Sequence, residues 1–183
     1  ICQVSTTLYN AALFANLNIR RRSNHSMPVA YVPIGRDATV DYGSLDLVIE
    51  NPYNQPLAVT SEYAPGKLTF RIIGSKVPGL SIKVVSGPVT SWANGESYVN
   101  DPDLPVGQKE VDEPGSKGFL VMTYRCVYQD GQLVKKESLG KSRYPGGRRI
   151  ISVGTKGAKP PVSQPPPVNR GGLIPPDPVD GNG

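Results

Sequence analysis

The chain has 183 residues, with 20 basic and 15 acidic side chains and a net charge of +5 at neutral pH. Its 20 glycines and 19 prolines favour turn-rich β structure and effectively exclude an all-helical protein. The basic residues are spread along the chain, so no segment has the charge density of a nucleic-acid-binding protein. We also expect no membrane span, because no run of about 18 apolar residues occurs.

A single helix is predicted at the start of the chain, within residues 1–17. No proline or glycine interrupts this stretch, and its apolar residues recur at helical spacing, at Val4, Leu8, Ala11, Ala12 and Ala15. Cys2 lies at or just before the first turn of this predicted helix.

Short β-rich runs follow the helix, separated by proline, glycine and asparagine. They predict strands at Val29–Val32, Leu45–Glu50, Leu57–Tyr63 and Lys67–Ile73. The last two runs should form a hairpin, because the proline and then the glycine of Pro65-Gly66 suit the two central positions of a tight turn.

A second β-rich unit is predicted from about residue 81 to residue 156. Its clearest hairpin joins Phe119–Tyr128 to Gln132–Ser138, because Asp130-Gly131 between alternating strands is a strong turn signal. We place domain boundaries near the composition shift at Pro78-Gly79 and at Gly157. The chain then divides into residues 1–78, residues 79–156 and a tail at 157–183.

The predicted tail, residues 157–183, contains eight prolines and five glycines and few large apolar side chains. Such a segment cannot bury enough apolar surface to offset the entropy lost on ordering, so we expect it to be disordered. An extended spacer is the simplest role for it. A ligand for proline-recognition modules is the alternative.

Cys2 is the first candidate for chemistry. A thiol at a helix N-terminus lies where the helix dipole and unpaired N–H groups favour the thiolate. The polar neighbours Gln3 and Ser5 either line a pocket or cap the helix. The alternative is that Cys2 is simply a small buried residue, as free cysteines often are.

The only histidine, His25, is the second candidate. Paired with Cys2, it would complete a base and nucleophile, but only folding can bring together residues 23 positions apart. Arg36 and Asp37, beside Gly35, form a third candidate: Arg36 can hold a substrate carboxylate, and Asp37 can orient a histidine. An exposed loop histidine and an ordinary surface turn are the alternatives.

The cysteine and histidine counts bear on metal and disulfide chemistry. With two cysteines, Cys2 and Cys126, and one histidine, the chain lacks the ligands of a typical zinc site or a disulfide framework. We therefore expect no metal and no cofactor. A single disulfide between Cys2 and Cys126 is an alternative that the sequence leaves open.

Three separated blocks occur in order within residues 1–76: Ile1–Leu13, His25–Val29 and Tyr31–Val40. Together they resemble the VanW-like family, which is named after a vancomycin-resistance gene cluster and is typical of Gram-positive bacterial surfaces. Family members usually carry a glycine run and a sizeable N-terminal portion before the Ile-Cys pair. We therefore expect this chain to hold the C-terminal part of the domain, with any signal or membrane anchor upstream.

The resemblance implies a cell-wall function. Members of the family are associated with peptidoglycan cross-linking as cysteine-dependent L,D-transpeptidases, which act on stem peptides. By this resemblance Cys2 would be the nucleophile and His25 the base. Arg36 and Asp37 would have substrate-binding or orienting roles. Gln3 and Ser5 are predicted to bind substrate from their position beside Cys2, not from the resemblance. The same resemblance implies an extracellular location, at the cell surface or in the cell wall.

The second unit resembles a G5 (G-five) domain, a small extracellular β module named for its glycines. The matching residues include Asp101–Gly107, Gly118, Thr123–Arg125, Tyr128–Gly131 and Ile150–Lys156. The resemblance implies binding or targeting to glycans that contain N-acetylglucosamine, with no catalytic residues. Tyr144–Gly147 departs from the family pattern because this stretch is usually less rich in glycine.

These patterns together predict an α+β chain. One N-terminal helix should pack on short β strands as a truncated VanW-like domain, followed by a small, elongated all-β G5 module and a disordered tail. The leading functional hypothesis is a wall-associated L,D-transpeptidase. The alternative is a non-catalytic wall-binding or adhesion protein in which Cys2 and His25 are structural, so the sequence leaves open whether the chain is an enzyme.

Overall fold

A computed structural model describes residues 1–157 of the chain. It has one helix, α1 (Cys2–Phe14), which confirms the predicted N-terminal helix. The helix ends at a left-handed residue, Asn16, with φ of 57°. The Asn16 N–H donates to the Leu13 carbonyl, and the Leu17 N–H donates to the Ala12 carbonyl. This pair of bonds is the Schellman arrangement that satisfies the last carbonyls of a helix.

Eleven strands follow in the described part of the chain, and most of that part is β structure. They are β1 (Asn18–Arg21), β2 (Val48–Glu50), β3 (Ala58–Ala64), β4 (Lys67–Ile73), β5 (Leu80–Ser86), β6 (Thr90–Trp92), β7 (Glu96–Pro105), β8 (Lys109–Glu113), β9 (Gly118–Gln129), β10 (Gln132–Tyr144) and β11 (Arg149–Lys156). The α+β class predicted from the sequence is confirmed.

Two of the predicted strands differ from the structure. Val29–Val32 forms turns and bends instead of a strand, and the prolines on either side, Pro28 and Pro33, have no N–H to donate to a sheet ladder. The run Leu45–Glu50 is a strand only over its last three residues, which pair with β1. The segment between β1 and β2 is therefore mostly irregular, and it carries the candidate residues His25, Arg36 and Asp37.

Both predicted hairpins are present. In β3–β4, Ala64 pairs with Lys67, and Gly66 takes a φ of 74° between the strands. In β9–β10, Gln129 pairs with Gln132. Asp130 and Gly131 both have positive φ, at 51° and 80°, as expected for the type I′ turn that matches the twist of a hairpin.

The remaining strands extend β9–β10 and build a second sheet. β5 and β6 both pair antiparallel with the free edge of β9. A separate three-stranded sheet has the order β7-β11-β8, with β11 parallel to β7 and antiparallel to β8.

The core lies where α1 meets the sheet of β9 and β10. Tyr9 and Leu13 of the helix are buried with Ala38, and Val84 and Leu139 from the sheet pack against them. Alternate residues of β9 are buried here as well, namely Val121, Thr123, Arg125 and Val127. This face of the sheet positions the irregular segment that contains residues 33–39, which we call the Gly35 turn.

The tail predicted to be disordered, residues 157–183, lies outside the described residues except for residue 157. Within residues 1–157, no helix is long and apolar enough to cross a membrane. The boundary predicted at residue 78 remains a prediction, and packing contacts cross it at the core just described.

Candidate active site

The Cys2 thiol lies at the first residue of α1 and is half-buried. Its sulfur is 3.5 Å from the Thr39 hydroxyl and 3.7 Å from the Val40 carbonyl oxygen. A hydrogen bond with the Thr39 side chain is the largest of several interactions, including one with His25, that outweigh burial and lower the pKa of Cys2 from 9.0 to about 7. Near neutral pH, about half of the thiol is therefore in its nucleophilic thiolate form.

His25 is held by the buried carboxylate of Asp37. Its Nδ1 is 2.6 Å from Asp37 Oδ2, and its backbone N–H donates to the same oxygen at 2.7 Å. An ionised carboxylate only accepts hydrogen bonds, so Nδ1 carries the proton and Nε2 is the nitrogen that exchanges protons. Burial lowers the pKa of His25, but its interactions with Asp37 and Cys2 outweigh burial and leave it raised.

Asp37 is 1% exposed, yet it stays ionised. Burial raises the pKa of Asp37, but hydrogen bonds from the His25 backbone, Tyr144 and the His25 side chain, with the charge of Arg22, lower it overall. Oδ1 accepts from the Tyr144 hydroxyl at 2.5 Å and from Arg22 at 3.1 Å. Each carboxylate oxygen therefore accepts two hydrogen bonds, and the carboxylate is fixed in place.

The helix and the Gly35 turn are joined through Ala38. The Thr6 hydroxyl accepts from the Ala38 N–H at 3.0 Å and lies 3.1 Å from its carbonyl, and the Ser5 hydroxyl donates to that carbonyl at 2.7 Å. Asp37 and Thr39 flank Ala38 in the chain. The first turns of α1 are thus bonded to the segment that holds the partners of both Cys2 and His25.

A shallow cavity of about 640 Å³ opens beside the histidine. Its lining includes His25, Thr39, Arg143 and Leu45. Cys2 does not line it directly, but Thr39, the closest hydrogen-bond partner of the thiol, does. The cavity therefore reaches His25 directly and the Cys2 thiol only through Thr39.

The structure brings some of the predicted residues together and separates others. His25 is hydrogen-bonded to Asp37 and interacts with Cys2. Arg36, in contrast, donates from Nε to Asn10 at 2.9 Å and lies over the Phe14 ring. Asn10 is two turns of helix beyond Cys2, or about 12 Å along the axis. Arg36 is therefore bonded to the side of α1, away from its N-terminus.

Gln3 and Ser5 differ in exposure. Gln3, which follows Cys2 in the helix, is exposed. Ser5 is 7% exposed, and its hydroxyl is bonded inside the protein. We therefore assign positioning roles to Ser5 and Asp37 instead of direct substrate contact, because the polar atoms of both are already paired internally.

Sequence reasoning missed three residues of this site. Thr39 lies in one of the matching blocks, but no pattern distinguishes it there, and Arg22 is one of three consecutive arginines. Tyr144 is 107 positions from Asp37, so no local pattern points to their contact. Within the described range, no group of three or more His, Cys, Asp or Glu side chains is placed to hold a metal ion, and both cysteines are free thiols.

Comparison with protein families assigns both halves of the chain. Residues 1–73 match the family described as VanW like protein, and residues 90–156 match the G5 domain. The chain carries a VanW-like segment followed by a G5 domain. Cys2, His25 and Asp37 lie in the VanW-like segment, whereas Tyr144 lies in the G5 domain. Both matches indicate a cell-wall-associated protein.

One curated relative matches the VanW-like segment. It is Uncharacterized protein YoaR of Bacillus subtilis (strain 168), which is 44% identical over 77 residues. The match covers 42% of this chain and 25% of the relative, so the chain spans about a quarter of the length of that protein.

Two solved structures resemble the G5 domain. The IgA1 Protease G5 domain structure is 26% identical and covers 44% of this chain and 95% of that chain, with a TM-score of 0.35. The structure of HP0197-G5 is 24% identical and covers 41% of this chain and 97% of that chain, with a TM-score of 0.25.

Proposed function

We propose that the protein is a cysteine-dependent L,D-transpeptidase of the cell wall, which acts on peptidoglycan stem peptides and is directed to wall glycan by its G5 domain. One observation carries the catalytic half of this proposal. A thiol with a pKa of about 7 interacts with a histidine, and a buried carboxylate holds that histidine. This is the nucleophile, base and orienting group of covalent acyl transfer.

In the first half-reaction, the Cys2 thiolate attacks the amide carbonyl between an L-centre and the terminal D-residue of a stem peptide. The C–S bond forms and the C–N bond breaks, leaving a thioester on Cys2. His25 gives a proton to the departing amine of the D-residue.

In the second half-reaction, an amine from a neighbouring stem peptide attacks the thioester. His25 takes the proton from this amine, the C–S bond breaks, and the Cys2 thiolate is restored. The products are a cross-linked peptide and the free D-residue, and no oxidant or cofactor takes part.

The N-terminus of α1 supplies groups that stabilise the tetrahedral intermediate. Val4 and Ser5 donate their N–H groups to the Ile1 carbonyl, whereas Cys2 and Gln3, as the first two residues of the helix, have no partner within it. These two N–H groups lie next to the thiol. Backbone donors in this position stabilise an oxyanion as it forms.

Arg143 gives the cavity a positive charge suited to this substrate. Arg143 is exposed and lines the cavity beside His25, and its guanidinium lies over the Trp92 ring. The terminal D-residue of a stem peptide carries a free carboxylate, which arginine binds well. We assign Arg143 to recognition of that carboxylate, the role that the sequence suggests for Arg36.

A second cavity supports the glycan-binding half of the proposal. It has a volume of about 370 Å³ and lies in the G5 domain between β7 and the start of β11, where Glu96, Lys117 and Arg149 provide polar groups. The rest of the lining is largely apolar, and Arg149 is ion-paired with Glu96. A sugar ring offers an apolar face as well as hydroxyl groups to such a surface. We expect Lys117→Ala to weaken co-sedimentation of the protein with purified wall glycan, while Lys135→Ala, on β10 outside this cavity, leaves it unchanged.

The catalytic half is tested by thiol labelling with iodoacetamide, read by mass spectrometry. Cys126 is buried on β9 and serves as the internal reference thiol. We expect Cys2 to label much faster than Cys126, with a rate that rises around pH 7. Because His25 helps to lower the pKa of Cys2, His25→Ala should slow labelling at pH 7.

Thr39→Val separates thiolate formation from proton transfer. The Thr39 hydrogen bond is the largest cause of the low pKa of Cys2, so its loss should move the labelling midpoint upward. A complete return to 9.0 would leave about 1% thiolate at pH 7, against about half in the wild type. Raising the pH should restore labelling of Cys2 in both His25→Ala and Thr39→Val. It should restore release of the D-residue from a stem tetrapeptide only in Thr39→Val, because this variant keeps His25 as the base.

Two results would oppose this proposal. In the first, Cys2 is labelled as slowly as Cys126 and its labelling rate is unchanged in His25→Ala. The thiol is then not activated, and wall binding by the G5 domain is the better account of the protein's function. If Cys2 is activated but no D-residue is released from any stem peptide, the acyl donor is of another class.

A further inference from the structure

The buried side chain of Tyr144, at the end of β10, reaches the candidate site from the G5 domain. It is 1% exposed. Its hydroxyl donates to Asp37 Oδ1 at 2.5 Å and accepts the Gly35 N–H at 3.0 Å. A single hydroxyl thus bonds both the carboxylate and the backbone of the Gly35 turn.

The two oxygens of Asp37 face different parts of the molecule. Oδ2 accepts both N–H groups of His25, whereas Oδ1 accepts from Tyr144 and Arg22. Arg22 is itself bonded to β10, because its NH1 donates to Ser142 at 2.8 Å. Both groups that hold Oδ1 therefore depend on β10, and rotation of the carboxylate away from His25 would break their bonds.

The Gly35 turn lies against β9 too closely for any other residue. Gly35 has a φ of 87°, and a Cβ on it would lie 2.5 Å from Thr123 Oγ1 and 2.8 Å from a methyl group of Val121. Thr123 also donates to the Gly35 carbonyl at 3.1 Å. The turn is thus bonded to both strands of the β9–β10 hairpin.

We propose that Tyr144 is a positioning residue for the Asp37–His25 pair, so that the G5 domain completes the active site of the VanW-like segment. The inference rests on the proposed function for its catalytic meaning. It goes further in making the catalytic unit extend from Cys2 to Tyr144, beyond the part of the chain that matches the VanW-like family.

The chemistry of the tyrosine suits this role. Burial and the hydrogen bond to Asp37 raise the pKa of Tyr144 to about 12. The hydroxyl therefore keeps its proton near neutral pH and can donate a hydrogen bond to Asp37. Phenylalanine in its place would keep the ring and its packing and remove the hydroxyl, and with it both the bond to Asp37 and the acceptor of the Gly35 N–H.

The test is Tyr144→Phe in the full chain, with NMR of the imidazole as the primary measurement. His25 is the only histidine, so its ring signals need no assignment. The charged and titratable groups around it are Asp37, Cys2, Arg22 and Arg143. We expect the variant to lose part of the Nδ1–H tautomer and to show a His25 pKa shifted down towards 6.5. Release of the D-residue should fall about tenfold in kcat with little change in KM.

Tyr128→Phe, on β9 of the same hairpin, is the matched control and should change none of these readouts. Thr123→Val is a second variant, which keeps the side-chain shape and removes the bond to the Gly35 carbonyl. It should shift the His25 signals in the same direction but by less, and it carries the test if Tyr144→Phe does not fold.

The outcomes separate this inference from the proposed function. An unchanged tautomer and pKa of His25 in a folded Tyr144→Phe protein would overturn the positioning role, even with transpeptidation intact in the wild type. Conversely, the wild type could show no transpeptidase activity while the His25 signals still change in Tyr144→Phe. That result would overturn the proposed reaction but support the positioning of Asp37 and His25 by Tyr144.

Discussion

The β3–β4 and β9–β10 hairpins both have two-residue turns, but their surroundings are very different. The β3 strand is exposed along its whole length, and the ion pair between Arg71 and Glu62 connects two exposed side chains. The β9–β10 hairpin buries one face of β9 and bonds to the Gly35 turn and to Arg22. Turn residues are enough to specify a hairpin locally, but only the β9–β10 hairpin contacts the candidate site.

The difference lies in where polar groups find partners. On β3–β4, water solvates the charged groups whether or not they pair, so each pair contributes little. Beside β9–β10, the Asp37 and Arg22 side chains are 2% and 8% exposed, and a buried charge without its partner is costly. Substitutions of the same kind should therefore have unequal effects in the two regions.

The largest contrast should come from neutralising one carboxylate in each region. Asp37→Asn removes the charge opposite Arg22 and replaces one of the two acceptor oxygens with an NH2 group, which would face another donor. We expect it to cost about 3–5 kcal/mol of unfolding free energy. Glu62→Gln, at the exposed pair with Arg71, should cost less than about 1 kcal/mol. Urea denaturation of both variants measures the two costs, and equal costs would show that the buried network contributes no special stability.

A smaller contrast is expected between two glycines with positive φ. Gly35→Ala combines an unfavourable backbone angle with contacts closer than 3 Å to β9, so we expect a loss of about 3 kcal/mol. Gly66 has a φ of 74°, but a Cβ on it would meet no atom within 4 Å, and Gly66→Ala should cost about 1 kcal/mol. Thermal unfolding of the two variants compares them, and a cost at Gly35 no greater than at Gly66 would contradict the close approach to β9.

The smallest effect should appear in the acid range. The pKa of Asp37 is lowered by folding, so its stabilising contribution is fully present above the unfolded value of about 3.9 and is lost as the pH falls through the lower folded value. The gap in unfolding free energy between the wild type and Asp37→Asn should therefore narrow below about pH 4. A gap that widens on acidification would mean that Asp37 is not stabilised as a carboxylate.

The helix and the two hairpins were predicted correctly from short-range sequence patterns. The helix, the Pro65-Gly66 hairpin and the Asp130-Gly131 hairpin were all recognisable, because spacing and turn residues act over a few positions. The predicted strand Val29–Val32 was wrong because its β-branched residues suggested a strand, while the prolines at its ends prevent sheet pairing.

The candidate site was predictable only in part. The resemblance to the VanW-like family indicated Cys2 and His25, and the sequence suggested that Asp37 could orient a histidine. The contacts of Tyr144 and Thr123 with residues 33–39 were not predictable, because they span about 90 to 110 positions. Such contacts depend on how the sheet packs on the turn, which no local motif encodes.

The position of β11 in its sheet limits the order in which the chain can fold. β7 and β8 precede it in the sequence, but they do not pair with each other, because β11 lies between them. During synthesis, neither strand has its neighbour until residues 149–156 have emerged. The three-stranded sheet therefore forms late, and a nascent chain halted before β11 would present two unpaired strands to its surroundings.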